Sequence, residues 1–388
     1  MLKAGIVGAG ILGGAHAENL RAHPQVELVA VADPRMEAAQ RLAGSDVRAY
    51  RSVEEMLGAE SLDLVVVATP DPFHREPTLA AIAAGVPYII QEKPLATTLS
   101  DALAIYEAVE RAGTGFYVNY ANRTAPLDIA TAYVIRQGLL GPIVYGDVRL
   151  DDNISVPTRL WGTRSRDWAG GSSTAHFLLS HVVDLLHWYL YPATVSEVYA
   201  IKQQMVLGYT PDLYDAFLTF TNGAQIRVKA EWIRHMDELV EFGMSFSGAQ
   251  GTLVYNKLPG FGTRTSWRAN LSPEVAIDSL LQHQQALRSA GALTRAIVDR
   301  GAPGLQRSPG AEELLPVALE SLDHGIGKPM ALVDHVIDAI LEGSNPPHSW
   351  GGPGSLPTHV DGLAQTQVVL AIVASAEKHH PVRPDSLA

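Results

Sequence analysis

The chain has 388 residues, 47% of them hydrophobic and 18% charged, with a formal net charge of −12 and no cysteine. The length suits two globular domains. The negative balance argues against a nucleic-acid partner, which needs clustered Lys and Arg, and the lack of cysteine removes disulfides, thiolate metal sites and cysteine nucleophiles.

"MLKAGIVGAG" runs straight into a strand pattern without a leader layout. No apolar stretch approaches the roughly 20 residues of a membrane span. A cytoplasmic protein with no membrane partner is the expectation. Over the first 120 residues two periods alternate. The strand-like runs are "KAGIVGA", "VELVAVA", "DVRAY", "DLVVVAT", "VPYIIQ" and "GFYVNY". Helices are predicted between them at 15–22, 35–42, 52–57, 76–84 and 100–112, with Ser52 and Glu55 placed for a capping box. The strands are continuously apolar, which indicates burial on both faces and a doubly wound parallel sheet. After a helix at about 125–137 the pattern changes to longer strands: "IVYGDVRLD", "VSEVYAIKQ", "YDAFLTFTNGAQIRVKAEW" and "LVEFGMSFSGAQGTLVYN". Asn222-Gly223 in "FTNGAQ" signals a tight hairpin with positive φ. A mostly antiparallel sheet in a second α/β domain follows. Residues 258–328 read as a largely helical insert, through "PEVAIDSLLQHQQALRSAGALTRAIVDR" and "AEELLPVALESL". Two amphipathic helices close the chain, separated by the Pro/Gly-rich "NPPHSWGGPGSLPTH".

Two strand ends carry charges that suggest chemistry. "GIVGAGILGGAH" contains Gly8-x-Gly10-x-x-Gly13, with Ile11 and Leu12 inside the motif, between a strand and a helix. Gly8 permits the tight turn, Gly10 lets a pyrophosphate approach the backbone, and Gly13 allows close packing of helix on strand. The phosphate then meets the positive end of the helix. Asp33 lies 20 residues beyond Gly13 at the end of the next strand, the position that bonds an adenosine ribose. Its carboxylate repels a 2′-phosphate, so NAD is favoured over NADP. Arg35 complicates the choice, because a nearby guanidinium can bind that phosphate. At the end of the fifth strand, "QEKPLA" puts Lys93 in a proline-stiffened turn, where a lysine can donate to a substrate hydroxyl oxygen.

"GIVGAGILGGAHAENL", "VAVADP", "ATPDPFHREPTLAAIAAGVPYIIQEKPLA" and "FYVNYANRTAP" resemble the Gfo/Idh/MocA oxidoreductases in order and spacing. So do "IRQGLLGPIVYGDVRL", "GGSSTAHFLLSHVVDLLHWYL" and the closing helices. The resemblance leaves out roughly 258–328. It implies a Rossmann domain over residues 1–121 and a C-terminal α/β domain over 122–388 with a large, mostly antiparallel open sheet. It also implies NAD(P)-linked chemistry on a sugar, cyclitol or related polyol, with no metal, and a homodimer or homotetramer formed through the open sheet. By position it implies a cofactor site lined by Gly8, Gly10, Asp33, Thr69, Pro70, His74, Glu92 and Lys93. Arg123 matches a family arginine, taken as a substrate contact, and His181 matches the catalytic histidine.

One position departs from the family pattern. The family commonly has Asp four residues before that histidine; here Phe177 stands there, beside His176. Asp184, three residues after His181, shares part of its helix face and is expected to hold the imidazole tautomer. Trp161 and Trp168 either stack on a sugar face or pack under the sheet. His181 would act as base with Lys93 stabilising the oxyanion, or the roles are exchanged. The rival readings are an NAD-dependent glycosidase working by transient sugar oxidation and a non-catalytic NAD sensor. Retention of both Lys93 and His181 argues against the sensor.

Overall fold

The computed structural model describes residues 1–258, 266–298, 317–321, 328, 330–343 and 356–387. The first domain alternates β1 Leu2–Val7, α1 Ile11–Ala22, β2 Val26–Ala32, α2 Met36–Ala43, β3 Arg48–Tyr50, α3 Val53–Ala59, β4 Leu64–Val67, α4 Arg75–Ala83, β5 Tyr88–Gln91, α5 Leu99–Ala112 and β6 Gly115–Val118. Its sheet is parallel, in the order β3-β2-β1-β4-β5-β6. All four residues of β4 are buried, as a central strand covered on both faces requires. The strand order reverses between β1 and β4, and such a switch point opens a crevice at the carboxyl ends of the strands. The capping box is half formed. Ser52 Oγ accepts from the Glu55 N–H at 3.2 Å, while Glu55 reaches back to the Arg51 N–H rather than that of Ser52.

A short turn, Ala121–Thr124, leads into α6 Pro126–Arg136. There follow β7 Ile143–Asn153, α7 Ser155–Thr158, α8 Arg164–Gly171, a π-helical turn Ala175–Leu179 and α9 Ser180–Leu190. The sheet is completed by β8 Val195–Gln203, β9 Leu213–Phe220, β10 Gln225–Arg234, β11 Val240–Gly248, β12 Gly251–Leu258 and β13 Ser266–Leu271. After α10 Ile277–Ser289 come β14 Arg295–Ile297 and β15 Val317–Ser321, then α11 Ala331–Glu342 and α12 His359–Lys378. The order of this nine-stranded sheet is β14-β15-β13-β12-β11-β7-β10-β9-β8. Among its described strands only the β7–β10 pair is parallel. In β10 Ile226, Val228, Ala230 and Trp232 are buried and alternate with polar residues, so the sheet has one covered face. Side chains of α6, α9 and α12 fill that face.

Three expectations need correction. The 258–328 stretch is not largely helical among its described residues: it supplies β13, β14 and β15 besides α10. "VALES", expected in a helix, is a strand, because β13 offers it five backbone pairs. The hairpin at Asn222-Gly223 has a four-residue loop, 221–224, and only Gly223 takes positive φ, at 90°. Also, α11 returns to the first domain, where Leu332, Val333, Val336 and Ile337 join the core beside Ala17 and Leu20. Most of the Pro/Gly-rich stretch before α12 lies outside the described residues.

β13 is tied to α6 by the Trp267 indole, which donates to Thr131 Oγ1 at 2.9 Å with both residues fully buried. Thr131→Val would leave the indole N–H unpaired. We expect a loss of about 1–3 kcal/mol in urea unfolding. A loss within about 0.5 kcal/mol, the scatter of neutral substitutions, would show that this bond does not anchor β13.

Candidate active site

The glycine turn joins β1 to α1. Gly8 has φ of 104°, and a Cβ there would lie 2.5 Å from the Ala68 carbonyl oxygen. At Gly13 a Cβ would lie 1.9 Å from the Gly8 oxygen, so the helix can pack this closely only without one. Gly10 is different: nothing stands within 4 Å of its Cβ position. Helix α1 begins there with no side-chain cap and no acidic residue in its first turn. Ile11 and Leu12 are 68% and 44% exposed beside it. Free N–H groups, open space and bare apolar side chains fit a dinucleotide pyrophosphate.

Asp33 follows β2 with its carboxylate already engaged. Oδ2 accepts from the Ala9 N–H at 2.8 Å, and the Arg35 side chain bonds both oxygens at 3.0 Å. Burial raises the pKa of this carboxyl, but the bonds from Arg35 and Ala9 outweigh it and hold the pKa below the ordinary value. Arg35 therefore brings its charge to this strand end already paired.

Behind β5 the turn is built from side chains that lock one another. Glu92 Oε1 lies 2.7 Å from His16 Nε2 and accepts from Asn119 Nδ2 at 2.8 Å. That triangle ties α1, β5 and β6 together below the crevice. His74 spans two turns, with Nδ1 2.7 Å from the Pro94 oxygen and Nε2 3.0 Å from the Thr69 oxygen. Thr69 Oγ1 caps the Phe73 carbonyl at 2.9 Å, and Pro70 is exposed. Glu92 and His74 thus shape the crevice by holding its backbone.

Lys93 is 6% exposed, and its Nζ donates to the Phe177 carbonyl at 3.2 Å and sits 3.8 Å from the centre of the Phe177 ring. Burial pushes its pKa down, opposed by Asp71, Glu92 and Asp152. Phe177 is part of an aromatic cluster. Trp168 packs edge-on against it at 4.6 Å, Trp161 stands edge-on to Trp168 at 4.5 Å, and Trp232 lies 5.3 Å from Trp168. Trp168 and Phe177 are packed against the second domain's core.

His181 is the second residue of α9, with a ring that burial, Lys93 and Lys257 together hold well below its usual pKa. The expected Asp184–His181 pair does not form. Asp184 accepts from Arg123 Nε at 3.0 Å, and Arg123 Nη2 also reaches Asp361 at 2.8 Å. Burial raises the Asp184 pKa to about 6 against the pull of Arg123. Arg123 is 2% exposed and bonded to these two carboxylates, so it is a brace between the turn, α9 and α12 rather than the expected substrate contact. The ring of His181 instead meets Asn122, whose Nδ2 lies 3.3 Å from His181 Nδ1. His176 is engaged by Ser173 Oγ at 2.8 Å and stands apart from this pair.

Four polar residues of this region were not singled out from the sequence. Asn122 and Lys257 are bonded to one another at 2.7 Å, and Asp128 accepts from Lys257 and from the Tyr189 hydroxyl. Asp152, at the end of β7, accepts from Trp232 Nε1 at 3.2 Å and is 2% exposed. Burial raises its pKa from 3.8 to about 7, with Lys93 pulling the other way. The paired carboxylates in "RLDDN" were the available signal, but strand alternation alone puts Asp151 and Asp152 on opposite faces without saying what either meets.

Comparison with known proteins agrees with this geometry. A family profile described as "Oxidoreductase family, NAD-binding Rossmann fold" matches residues 2–120, and one described as "GFO/IDH/MocA C-terminal domain" matches residues 130–254. An inositol 2-dehydrogenase of Acidothermus cellulolyticus is 32% identical over 227 residues, 58% of this chain and 63% of that protein. A D-apiose dehydrogenase of Paraburkholderia graminis is 38% identical over 149 residues, 38% of this chain and 39% of that protein. The chain thus spans less than two thirds of the length of either relative. Levoglucosan dehydrogenase in complex with NADH and L-sorbose shares the fold over 98% of both chains, with a TM-score of 0.73 and 23% identity. GenD2 from gentamicin A biosynthesis, in complex with NAD, covers 98% of this chain and 96% of its own at a TM-score of 0.70 and 20% identity. With both profiles matched in order across more than half its length, the chain belongs to the GFO/IDH/MocA family of NAD-binding Rossmann oxidoreductases.

Proposed function

We propose that the protein oxidises a secondary hydroxyl of a sugar, cyclitol or related polyol with NAD. The observation that carries this reading is the position of Lys93. It stands buried at the carboxyl end of β5, bonded to the carbonyl of Phe177, one turn before His181. The charge of Lys93 is felt by the His181 ring and acts with burial against a proton on that ring, which supports a shared role for the two beside the dinucleotide crevice. The names of the relatives, an inositol and an apiose dehydrogenase, support the substrate class. Gly10, Ile11 and the start of α1 would hold the pyrophosphate and Asp33 the adenosine ribose, and the bound cofactor supplies a hydride-accepting ring. Lys93 and His181 meet the substrate oxygen. One takes the hydroxyl proton while the other stabilises the oxygen as charge develops. Asp33 favours NAD over NADP, because Arg35 is already paired with it.

A screen of sugars and cyclitols for NAD reduction tests the reading. At least one substrate should reduce NAD, and Lys93→Met should lower kcat by about 10²–10⁴ while NAD still binds. Tighter binding of NADP than of NAD, or full activity in Lys93→Met, would sink the assignment. Release of an aglycone without accumulation of NADH would instead identify glycosidase chemistry.

Asp152 provides a carboxylate near Lys93 although Phe177 has replaced the one the family pattern expects. Its pKa rises from 3.8 to about 7 on folding, so the native chain binds an extra proton between those values. The stability this gives is full below about pH 4 and is lost as pH rises toward 7. Asp152→Asn removes that loss. Relative to pH 4, the mutant's stability advantage at pH 8 should grow by a few kcal/mol, on the order set by the pKa difference. A constant gap in urea midpoints from pH 4 to 8 would contradict a proton on Asp152.

The outward face of the nine-stranded sheet bears Tyr145, Tyr199, Ile201, Phe217 and Val254, each 39–46% exposed. We propose that a second copy of the chain covers it, giving a dimer or tetramer. Sedimentation should show an oligomer that Phe217→Glu dissociates; a wild-type monomer at micromolar concentration would rule this out.

A further inference from the structure

His181 can serve the substrate oxygen as acceptor or as donor, and which it does depends on where its single ring proton sits. Four hydrogen bonds settle the matter from behind. Asp128, fully buried on α6, accepts from the Tyr189 hydroxyl at 2.6 Å and from Lys257 Nζ. Lys257, 3% exposed on β12, also donates to Asn122 Oδ1 at 2.7 Å. An ammonium has donors only, so the Asn122 oxygen must face Lys257. The amide nitrogen of Asn122 therefore faces His181 Nδ1, at 3.3 Å, and it too can only donate. Nδ1 must then be the unprotonated nitrogen. His181 is half-buried, its Nδ1 is engaged by Asn122, and Nε2 is not among the buried atoms without a partner, so Nε2 is the ring nitrogen left for a ligand.

We propose that Asn122 and Lys257 are positioning residues that fix His181 as its Nε2–H tautomer, making it a hydrogen-bond donor to the substrate oxygen and leaving Lys93 as the base. This rests on the reading of Lys93 and His181 as the groups that meet the substrate oxygen. In the oxidation the carbinol carbon gives up its hydride to the oxidised nicotinamide. The hydroxyl proton passes to unprotonated Lys93 Nζ, and a carbonyl remains. His181 keeps its proton and donates from Nε2 throughout. A second proton on His181 would place Nδ1–H against the Asn122 amide hydrogens. Relief would need the amide to turn over, which breaks its bond to Lys257. The charges around the ring act in the same sense. Lys257 faces it, Asp128 is occupied by Lys257, Asp184 by Arg123, and Asp152 lies toward Lys93, which adds to the effect only while it carries its proton.

The test is the ring nitrogen spectrum of ¹⁵N-histidine-labelled protein without cofactor or substrate, with His181 assigned by its loss in His181→Gln. Nδ1 should resonate as an unprotonated nitrogen and Nε2 as a protonated one. Asn122→Asp puts an acceptor against Nδ1 and should transfer the proton there, while the other oxygen of the new carboxylate keeps the bond to Lys257. Lys257→Met frees the amide to turn and should give a mixture of tautomers. A protonated Nδ1 in the wild type overturns the proposal, as does an Nε2–H tautomer unchanged in a folded Asn122→Asp. Because these spectra need neither substrate nor NAD, they stand apart from the substrate screen. An Nε2–H tautomer with no sugar oxidised would fault the substrate class and leave the tautomer assignment in place.

Discussion

The site hangs on the buried guanidinium of Arg123. It is bonded to Asp184 on α9 and Asp361 on α12, and its neighbour Asn122 is thereby placed against His181. Burial by itself would favour loss of the Arg123 proton, but the two carboxylates more than offset this and keep it charged. Removing one partner from such a pair leaves an uncompensated buried charge, which costs about 3–5 kcal/mol. The turn after β6 is thus fastened to the helix that carries His181 through charge as well as packing. The two domains meet where Lys93 bonds the Phe177 carbonyl and where Ser172 Oγ donates to Asp71 at 2.8 Å, close to Lys93. These contacts join the edge of the dinucleotide crevice to the second domain.

Phe177 changes the electrostatics of this junction. A carboxylate at that position would attract the lysine directly and raise the pKa of His181. The phenyl ring holds Lys93 by its face and its own carbonyl instead. Negative charge comes from farther back, from Asp71 and Glu92, with Asp152 contributing once pH passes its raised pKa of about 7. A lysine supported in this way is less strongly committed to its proton than one in a close ion pair. Trp168 and Trp232 back the ring, so the substitution is built into a packed aromatic cluster.

What can be read from the sequence is local. Gly8, Gly10 and Gly13 are a few residues apart, and the strand before and helix after them give the motif its meaning. Lys93 and Asp33 follow apolar runs whose ends are evident. Helical spacing places Asp184 beside His181, whereas the stronger partner, Arg123, comes from 61 residues upstream. Asn122, Lys257 and Asp128 matter only through contacts between distant segments, and no spacing rule connects them. The strand at Val317–Ser321 escapes a sequence reading for a similar reason. Its residues tolerate a helix, and only an open edge on β13 decides for the sheet.

The same nonlocal wiring explains why a histidine and a lysine so close together need not compete for one proton. Burial disfavours the charged form of both, and a proton on either one weighs against a proton on the other. Two neutral bases in one pocket would leave the substrate oxygen with acceptors on both sides and no donor to stabilise it. Tying Nδ1 of His181 to an amide whose direction is dictated by Lys257 removes the ambiguity. In the proposed arrangement one side of the oxygen meets a fixed N–H and the other an amine able to accept a proton. An arrangement of this kind favours transition-state charge on oxygen over the ground-state hydroxyl. The lysine that sets the direction of the amide, Lys257, is itself buried on β12 and paired with Asp128.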